Sequence, residues 1–309
     1  MSLITLDMET YYSKEYSLSK LTTEQYIRDP RFEVIGVSVK VDSGGIRWIT
    51  DNIGEELKAL HLENHQVLCH NTAFDGAILS WVYDIHPKFL LDTLSMARPL
   101  TGLTVGGSLK ALAKYFGIGE KGTEIYKTLG KRRADFTRSE LDAFGVYCRQ
   151  DVNLTYHLFA KLLPYTTKAE LVIIDMLLKM FTEPKIELDL PRLQAHLYGV
   201  QKKKAELLAR IPYSKEELMS NPKFAEVLKS LGVEPPMKVS PTTGKETYAF
   251  AKTDEAFKAL LEHPDERVQA VTAARLGVKS TIEETRTESL IGIARRGTFP
   301  ILLNYWGGS

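Results

Sequence analysis

Residues Leu3-Ile4-Thr5-Leu6-Asp7-Met8-Glu9-Thr10 form an apolar run that ends in two carboxylates one residue apart. Side chains alternate across a strand, so Asp7 and Glu9 project from one face and Leu6 and Met8 from the other. Two anions held that close repel each other unless a cation sits between them. The pair is therefore either an exposed strand end or one edge of a metal site. The choice turns on whether later acids reach the same place.

The chain that follows is first strand-rich and then helical. Glu33 to Val41 and Gly45 to Thr50 are β-branched runs around the turn residues Asp42-Ser43-Gly44, and with the first strand they predict a meander. Asp51 offers an N-cap to a helix from Ile53 to Leu60, and Gln66 to Cys69 is a short buried strand that stops at His70-Asn71. A helix is expected over Asp75 to Val82, a strand over Phe89 to Leu91, and an amphipathic helix over Ser108 to Phe116. Thr137-Arg138-Ser139-Glu140 is a capping box that opens a long helix carrying Tyr147 and Asp151 and ending by Pro164. A meander followed by alternating units implies a mixed sheet with helices against it.

From Lys168 onward strand signals nearly vanish. Helices are expected over Ala169 to Phe181, Pro191 to Ile211, Glu216 to Leu231, Asp254 to Leu261 and Glu266 to Arg296, with a loop or small hairpin around Thr242 to Lys245. A chain of 309 residues is long enough for two cores, so we place a domain boundary near residue 165. Phe299 to Trp306 is expected to be a strand.

Charge narrows the reading. Forty basic residues against 39 acidic ones leave +1, so any nucleic-acid surface must be local. From Arg267 to Arg296 there are six basic and three acidic residues. Within that stretch Arg275, Lys279 and Arg286 have spacings that put them on one helical face, able to neutralise DNA phosphates. Lys131-Arg132-Arg133 and Lys202-Lys203-Lys204 are expected to be solvated faces. Two cysteines, Cys69 and Cys148, exclude a disulfide framework and are expected to be small buried hydrophobes. No apolar run approaches the roughly 20 residues of a membrane helix, so a soluble, cytoplasmic protein is expected. Gly117 to Gly122 fits G-x-G-x-x-G by letter but follows a helix rather than a strand, and is expected to be a loop.

Two further segments bear on the opening acids. Tyr147-Cys148-Arg149-Gln150-Asp151 places a phenol and a carboxylate at i and i+4, on one face of a helix. Asn71-Thr72-Ala73-Phe74-Asp75 puts a carboxylate just beyond a short strand, at a helix start. Alone, Asp75 could be a helix cap, Asp151 a surface acid and Tyr147 a core residue. Together with Asp7 and Glu9 they make four acids in three segments, a set suited to two magnesium ions. His70 is expected to pack beside the acids rather than ligate, since hard cations prefer oxygen.

The D-x-E, N-x-x-F-D and Y-x-x-x-D motifs, in this order, resemble the DEDD exonucleases, specifically the proofreading domain of family A DNA polymerases. Val146 stands where the histidine subclass would need its histidine, so the chain resembles the tyrosine subclass. Ile186 to Leu190, Lys238 to Lys245 and Ala274 to Arg286 resemble the helical thumb of phage-type members. The resemblance implies an RNase H-like α/β domain over 1–165, a thumb-like DNA-binding region over 166–298 and the start of a palm strand over 299–309. It implies a 3′-5′ exonuclease with two Mg²⁺ ions, for which Mn²⁺ can substitute. In that reading Asp7 bridges both ions, Glu9 and Asp151 complete the first ion's shell, Asp75 holds the second through water, and Tyr147 positions the attacking water. The substrate would be a single-stranded 3′ end or a primer-template duplex in a bacterial or phage-infected cell. The resemblance also implies no synthesis by this chain alone, so two alternatives stand beside it: a binding subunit of a split polymerase completed by a separate palm-fingers chain, and an RNase D-like exoribonuclease.

Overall fold

The computed structural model describes residues 1–102, 104–120, 128–279 and 281–306. Its first compact unit comprises residues 1–186 and 298–309, and its second residues 187–297.

The first unit is built on a five-stranded sheet in the order β3-β2-β1-β4-β5. β1 (Leu3–Thr10) is its centre, β2 (Val34–Val41) and β3 (Ile46–Ile49) complete an antiparallel meander on one side, and β4 (Gln66–Cys69) and β5 (Phe89–Asp92) add parallel strands on the other. The helices are α1 (Thr23–Ile27), α2 (Ile53–Lys58), α3 (Thr72–Tyr83), α4 (Thr93–Thr101), α5 (Leu109–Phe116), α6 (Arg138–Leu162) and α7 (Lys168–Thr182). The core is the apolar face of β1, with Ile4, Leu6 and Met8, closed by Val37, Val67, Ile78, Leu112 and Leu158.

The strands and the capped helices follow the sequence pattern, including α6, whose Thr137 and Glu140 exchange both capping bonds. Elsewhere the structure differs from the expectation. Asn52 in a left-handed conformation, not Asp51, precedes α2, and Asp51 lies 2.8 Å from the Arg133 guanidinium. α1 and α4 lie outside the expected elements; α1 is opened by a Thr22–Gln25 capping box and α4 by Asp92. The unit extends to Ile186 rather than 165 because α7 belongs to it. The Asp175 carboxylate accepts the Leu90 backbone N–H at 2.7 Å, and Trp81 donates to the Thr182 carbonyl at 2.8 Å. In place of a strand from Phe299 to Trp306 there is one antiparallel bridge, Ile186 to Phe299.

The second unit holds α8 (Leu190–Ala209), α9 (Lys215–Met219), α10 (Asn221–Ser230), a hairpin of β6 (Met237–Val239) and β7 (Glu246–Tyr248), α11 (Glu255–Lys258), α12 (Glu266–Lys279) and α13 (Ile282–Arg296). Its core gathers Leu218, Phe224, Leu228, Phe250, Phe257, Val268, Val271 and Ala274. Two expected helices are each divided. Pro222 has no N–H, so Glu216 to Leu231 splits into α9 and α10 with Ser220 as the new N-cap. Over Glu266 to Arg296 two helices are described, α12 ending at Lys279 and α13 beginning at Ile282, with Thr281 outside both. Among the described residues no helix is long and apolar enough to cross a membrane.

Candidate active site

The sheet brings the strand acids and the first helical acid together at the carboxyl ends of its parallel strands, where open α/β sheets bind ligands. Asp7 and Glu9 share the half-buried face of β1, opposite Ser38 and Gly36 of β2. A register shift between Glu9 and Thr10 marks an irregularity of the kind that re-aims side chains at strand ends. Asp75 lies in the first turn of α3, is 3% exposed, and accepts the Met8 backbone N–H at 2.9 Å, between the two strand acids. Burial pushes its carboxyl up to about 8; the Met8 hydrogen bond opposes this, and the charges of Glu9 and Asp92 add to it.

The start of α3 is held by Asp92. Its carboxylate accepts the backbone N–H groups of Asn71 (2.8 Å) and Thr72 (3.1 Å) as well as those of Leu94 and Ser95 in its own helix. One buried acid thus ties β5, α3 and α4 together and sets where Asp75 stands. Sequence reasoning passed over it; the signal was Asp92-Thr-Leu-Ser95 directly after a short apolar strand.

α6 supplies the rest. Asp151 is buried and Tyr147 half-buried, one turn apart. Between them Cys148 donates its thiol to the Glu9 carboxylate at 3.4 Å, so this turn of the helix lies against β1. Burial, then the charges of Glu9, Asp7 and Asp151, push that thiol far above its ordinary range. These acids share one electrostatic neighbourhood, and Glu9 connects them to Asp75.

The docking of α6 rests on residues outside the motifs. Trp48 of β3 lies between two glycines: a Cβ on Gly36 would come within 2.3 Å of its ring, and one on Gly145 within 2.4 Å. With Ile35, Leu141, Phe144 and Cys148 it makes a small core beneath Tyr147. The basic run before α6 is not a freely solvated face. Lys131 pairs with Glu140, Arg132 with Glu33 and Arg133 with Asp51, stapling the entry of the helix to its own first turn and to the strands.

Asp7, Glu9, Asp75 and Asp151 offer only carboxylate oxygens, the donors Mg²⁺ and Mn²⁺ prefer. Among the described residues no three His, Cys, Asp or Glu side chains form a ready-made metal cage. That is compatible with magnesium, which keeps several waters and takes one or two carboxylates together with substrate phosphates. The donor set therefore fits. His70 bonds Thr93 Oγ1 at 2.8 Å and the Gly107 carbonyl at 2.9 Å, a bracing role. Cys69 is buried, like Cys148. Gly117 caps α5 in a left-handed turn, and Gly122 at the end of the G-x-G-x-x-G stretch lies outside the described residues.

The three basic residues assigned to DNA do not share a helical face. Arg275 and Lys279 are on α12 and Arg286 is on α13, because the helix divides between them. Lys279 and Arg286 are exposed, but Arg275 is 1% exposed, with its guanidinium carbon 4.3 Å from the Phe224 ring centroid and 4.8 Å from that of Phe250. It donates to the Leu218 carbonyl and, at 2.5 Å, to Asn221 Oδ1. An uninterrupted helix would have given Leu218 the N–H of residue 222; proline has none, and the arginine takes its place.

Comparison with known proteins matches residues 2–167 to the 3′-5′ exonuclease domain of family A DNA polymerases. No curated protein matches. Among solved structures, the POL domain of Pol1 from M. smegmatis, in complex with DNA primer-template and dNTP, is 13% identical with a TM-score of 0.50 over 94% of this chain and 46% of that one. Trypanosoma brucei RNase D in complex with RNA U12 is 15% identical with a TM-score of 0.44 over 57% of this chain and 60% of that one. Escherichia coli RNase D is 14% identical with a TM-score of 0.42 over 95% and 69%. The chain spans about half of the mycobacterial polymerase domain and 57% of another Trypanosoma brucei RNase D structure. The mixed sheet with its flanking helices α1 to α6 lies within the part of the chain that the exonuclease family model covers. With more than half of its length matched by the family model, the chain belongs to the 3′-5′ exonuclease family of family A DNA polymerases.

Proposed function

We propose that this exonuclease removes nucleotides from single-stranded or frayed 3′ ends of DNA, as the proofreading part of a family A polymerase does. The observation that carries the reading is the Met8 N–H to Asp75 hydrogen bond, which fixes a helix-borne acid between Asp7 and Glu9. Asp7, Glu9 and Asp151 would hold one divalent cation, and Asp7 with Asp75 a second. When bound, two such cations supply positive charge at both the attacking and the leaving oxygen of the phosphodiester. Tyr147, one turn from Asp151, orients the water that attacks phosphorus through its phenol oxygen. Asp92 keeps Asp75 in register, and Trp48 with Gly145 keeps Tyr147 in place. The bond broken is phosphorus to the 3′ oxygen, and the product is a nucleoside 5′-monophosphate.

The test is digestion of 3′-labelled single-stranded DNA in Mg²⁺ or Mn²⁺ by the parent and by Asp7→Ala/Glu9→Ala. Loss of about 10³-fold or more is expected. Digestion at the parent rate would refute the assignment. Matched RNA and DNA oligonucleotides decide the sugar, with faster DNA cleavage expected.

A further inference from the structure

The second unit contains a cavity of about 480 Å³ whose walls include Asn221, Lys238, Tyr248, Lys252, Arg275 and Lys279. Its volume falls in the range of small-ligand sites. Four of those residues are cations, and only Lys238 is neutralised among the described residues, by both oxygens of Asp254 at 2.6 and 2.8 Å.

The other cations are arranged against their own electrostatics. Arg275 is buried with a carbonyl, an amide oxygen and two aromatic rings, forms no ion pair among the described residues, and its Nε has no hydrogen-bond partner. Lys279 Nζ is drawn to the same Asn221 Oδ1, at 3.2 Å, so two positive groups converge on one neutral oxygen. Burial and the neighbouring Arg275 charge both push the Lys279 ammonium below its ordinary range. Converging cations without a counter-charge are what an anion would relieve. The apolar wall specifies more than an anion. Tyr248 stacks parallel on Phe250 with centroids 5.1 Å apart, and Phe250 covers Arg275, so a layered stack of rings and guanidinium reaches the cavity at Tyr248. A further planar ring can extend such a stack.

The geometry points to a nucleotide-binding pocket in the second unit, which holds a phosphate on Lys279 and Lys252 with Arg275 behind them and a base on the Tyr248 wall. Phosphate and base together can come from a free mononucleotide or from one unit of a nucleic-acid strand, and both present the same chemistry. The inference does not rest on the exonuclease reading, since the residues involved all lie between 221 and 279.

The test is calorimetric titration of the full chain in EDTA, using the Asp7→Ala/Glu9→Ala variant as host so that the acids of the first unit contribute no metal-dependent binding. The probes are inorganic phosphate, dAMP and a five-residue oligothymidylate. Adding Lys252→Gln/Lys279→Gln should weaken dAMP or oligothymidylate at least about tenfold. The control pair Lys202→Gln/Lys215→Gln, outside the cavity walls, should leave affinity within about twofold. Loss confined to the oligonucleotide assigns the pocket to a strand; loss for dAMP assigns it to the free nucleotide. Thermal melting should show the glutamine variants folded, as both lysines are exposed. Equal weakening by both pairs, affinity unchanged by Lys252→Gln/Lys279→Gln, or no binding of any probe would overturn the proposal.

Discussion

Asp75 in the first unit and Arg275 in the second are both almost entirely buried, and the protein treats the two charges differently. Asp75 receives a backbone N–H but sits among other acids, so burial and its neighbours favour its neutral form. A carboxyl can shed its charge by taking a proton. A guanidinium in a protein effectively cannot. Arg275 therefore keeps its charge, although burial lowers its pKa to about 10, and is solvated by the Leu218 carbonyl, Asn221 and two ring faces. Under the proposed function the acid meets an added cation, whereas the arginine completes a helix break, fills a core and stands behind the lysines of the proposed pocket.

Substitutions at the two positions should therefore separate activity from stability. Asp75→Asn keeps an oxygen that accepts from Met8 and removes only the charge. It should lower exonuclease turnover by about 10²-fold or more while the melting temperature stays within a few degrees. Arg275→Ala should do the reverse. It leaves the Leu218 carbonyl unsatisfied and Asn221 with Lys279 alone, above a cavity between two phenylalanines, at a cost of about 3 kcal/mol in urea unfolding. Single-strand digestion should survive wherever the protein remains folded. If Asp75→Asn melts early and Arg275→Ala does not, the contrast is wrong.

The same two residues show what was legible in the chain. Asp75 could be found because its motif abuts a strand end, and the order of the D-x-E, N-x-x-F-D and Y-x-x-x-D motifs, which resembles that of the DEDD exonucleases, groups it with Asp7, Glu9 and Asp151. The periods of two and 3.6 only set which residues of each element share a face. The second unit had no such frame. Spacings of four and seven join Arg275, Lys279 and Arg286 only if one helix runs through all three, and the end of α12 at Lys279, with a new helix from Ile282, removes that premise. The burial of Arg275 depends on Pro222, more than fifty residues away, having no N–H to give Leu218. Local pattern cannot report such a long-range pairing. The docking of α6 was hidden for a similar reason: Gly36, Trp48 and Gly145 are unremarkable letters until the sheet stacks them.

That docking gives an intermediate effect. In Gly145→Ala the added methyl would meet the Trp48 ring, and overpacking should cost about 1–3 kcal/mol by denaturant unfolding. Because the helix carries Tyr147 and Asp151, turnover should fall further than stability alone accounts for. Trp48→Leu added to Gly145→Ala should restore part of both, with a coupling energy that neither single change shows. Strictly additive effects would remove Trp48 as the element that seats the helix.

The smallest effect is expected where charges are exposed, and it should be alike in the two units. Lys131 beside Glu140, and the Arg267 guanidinium beside Asp265, each hold a carboxyl down to about 2. A carboxyl whose folded pKa lies below its unfolded value binds fewer protons when folded. Its contribution is therefore complete above the ordinary carboxylate range and is lost as pH falls from about 4.5 through about 2. Both side chains are in contact with solvent, so the lost stability should be small and should shrink further in salt. Glu140→Gln and Asp265→Asn should each flatten the acid limb of the melting temperature slightly and leave it unchanged near neutral pH, relative to its own plateau. A marked flattening by only one of the two would show that its ion pair holds its unit together more than exposure allows, and that the division between buried functional charge and exposed structural charge must be redrawn.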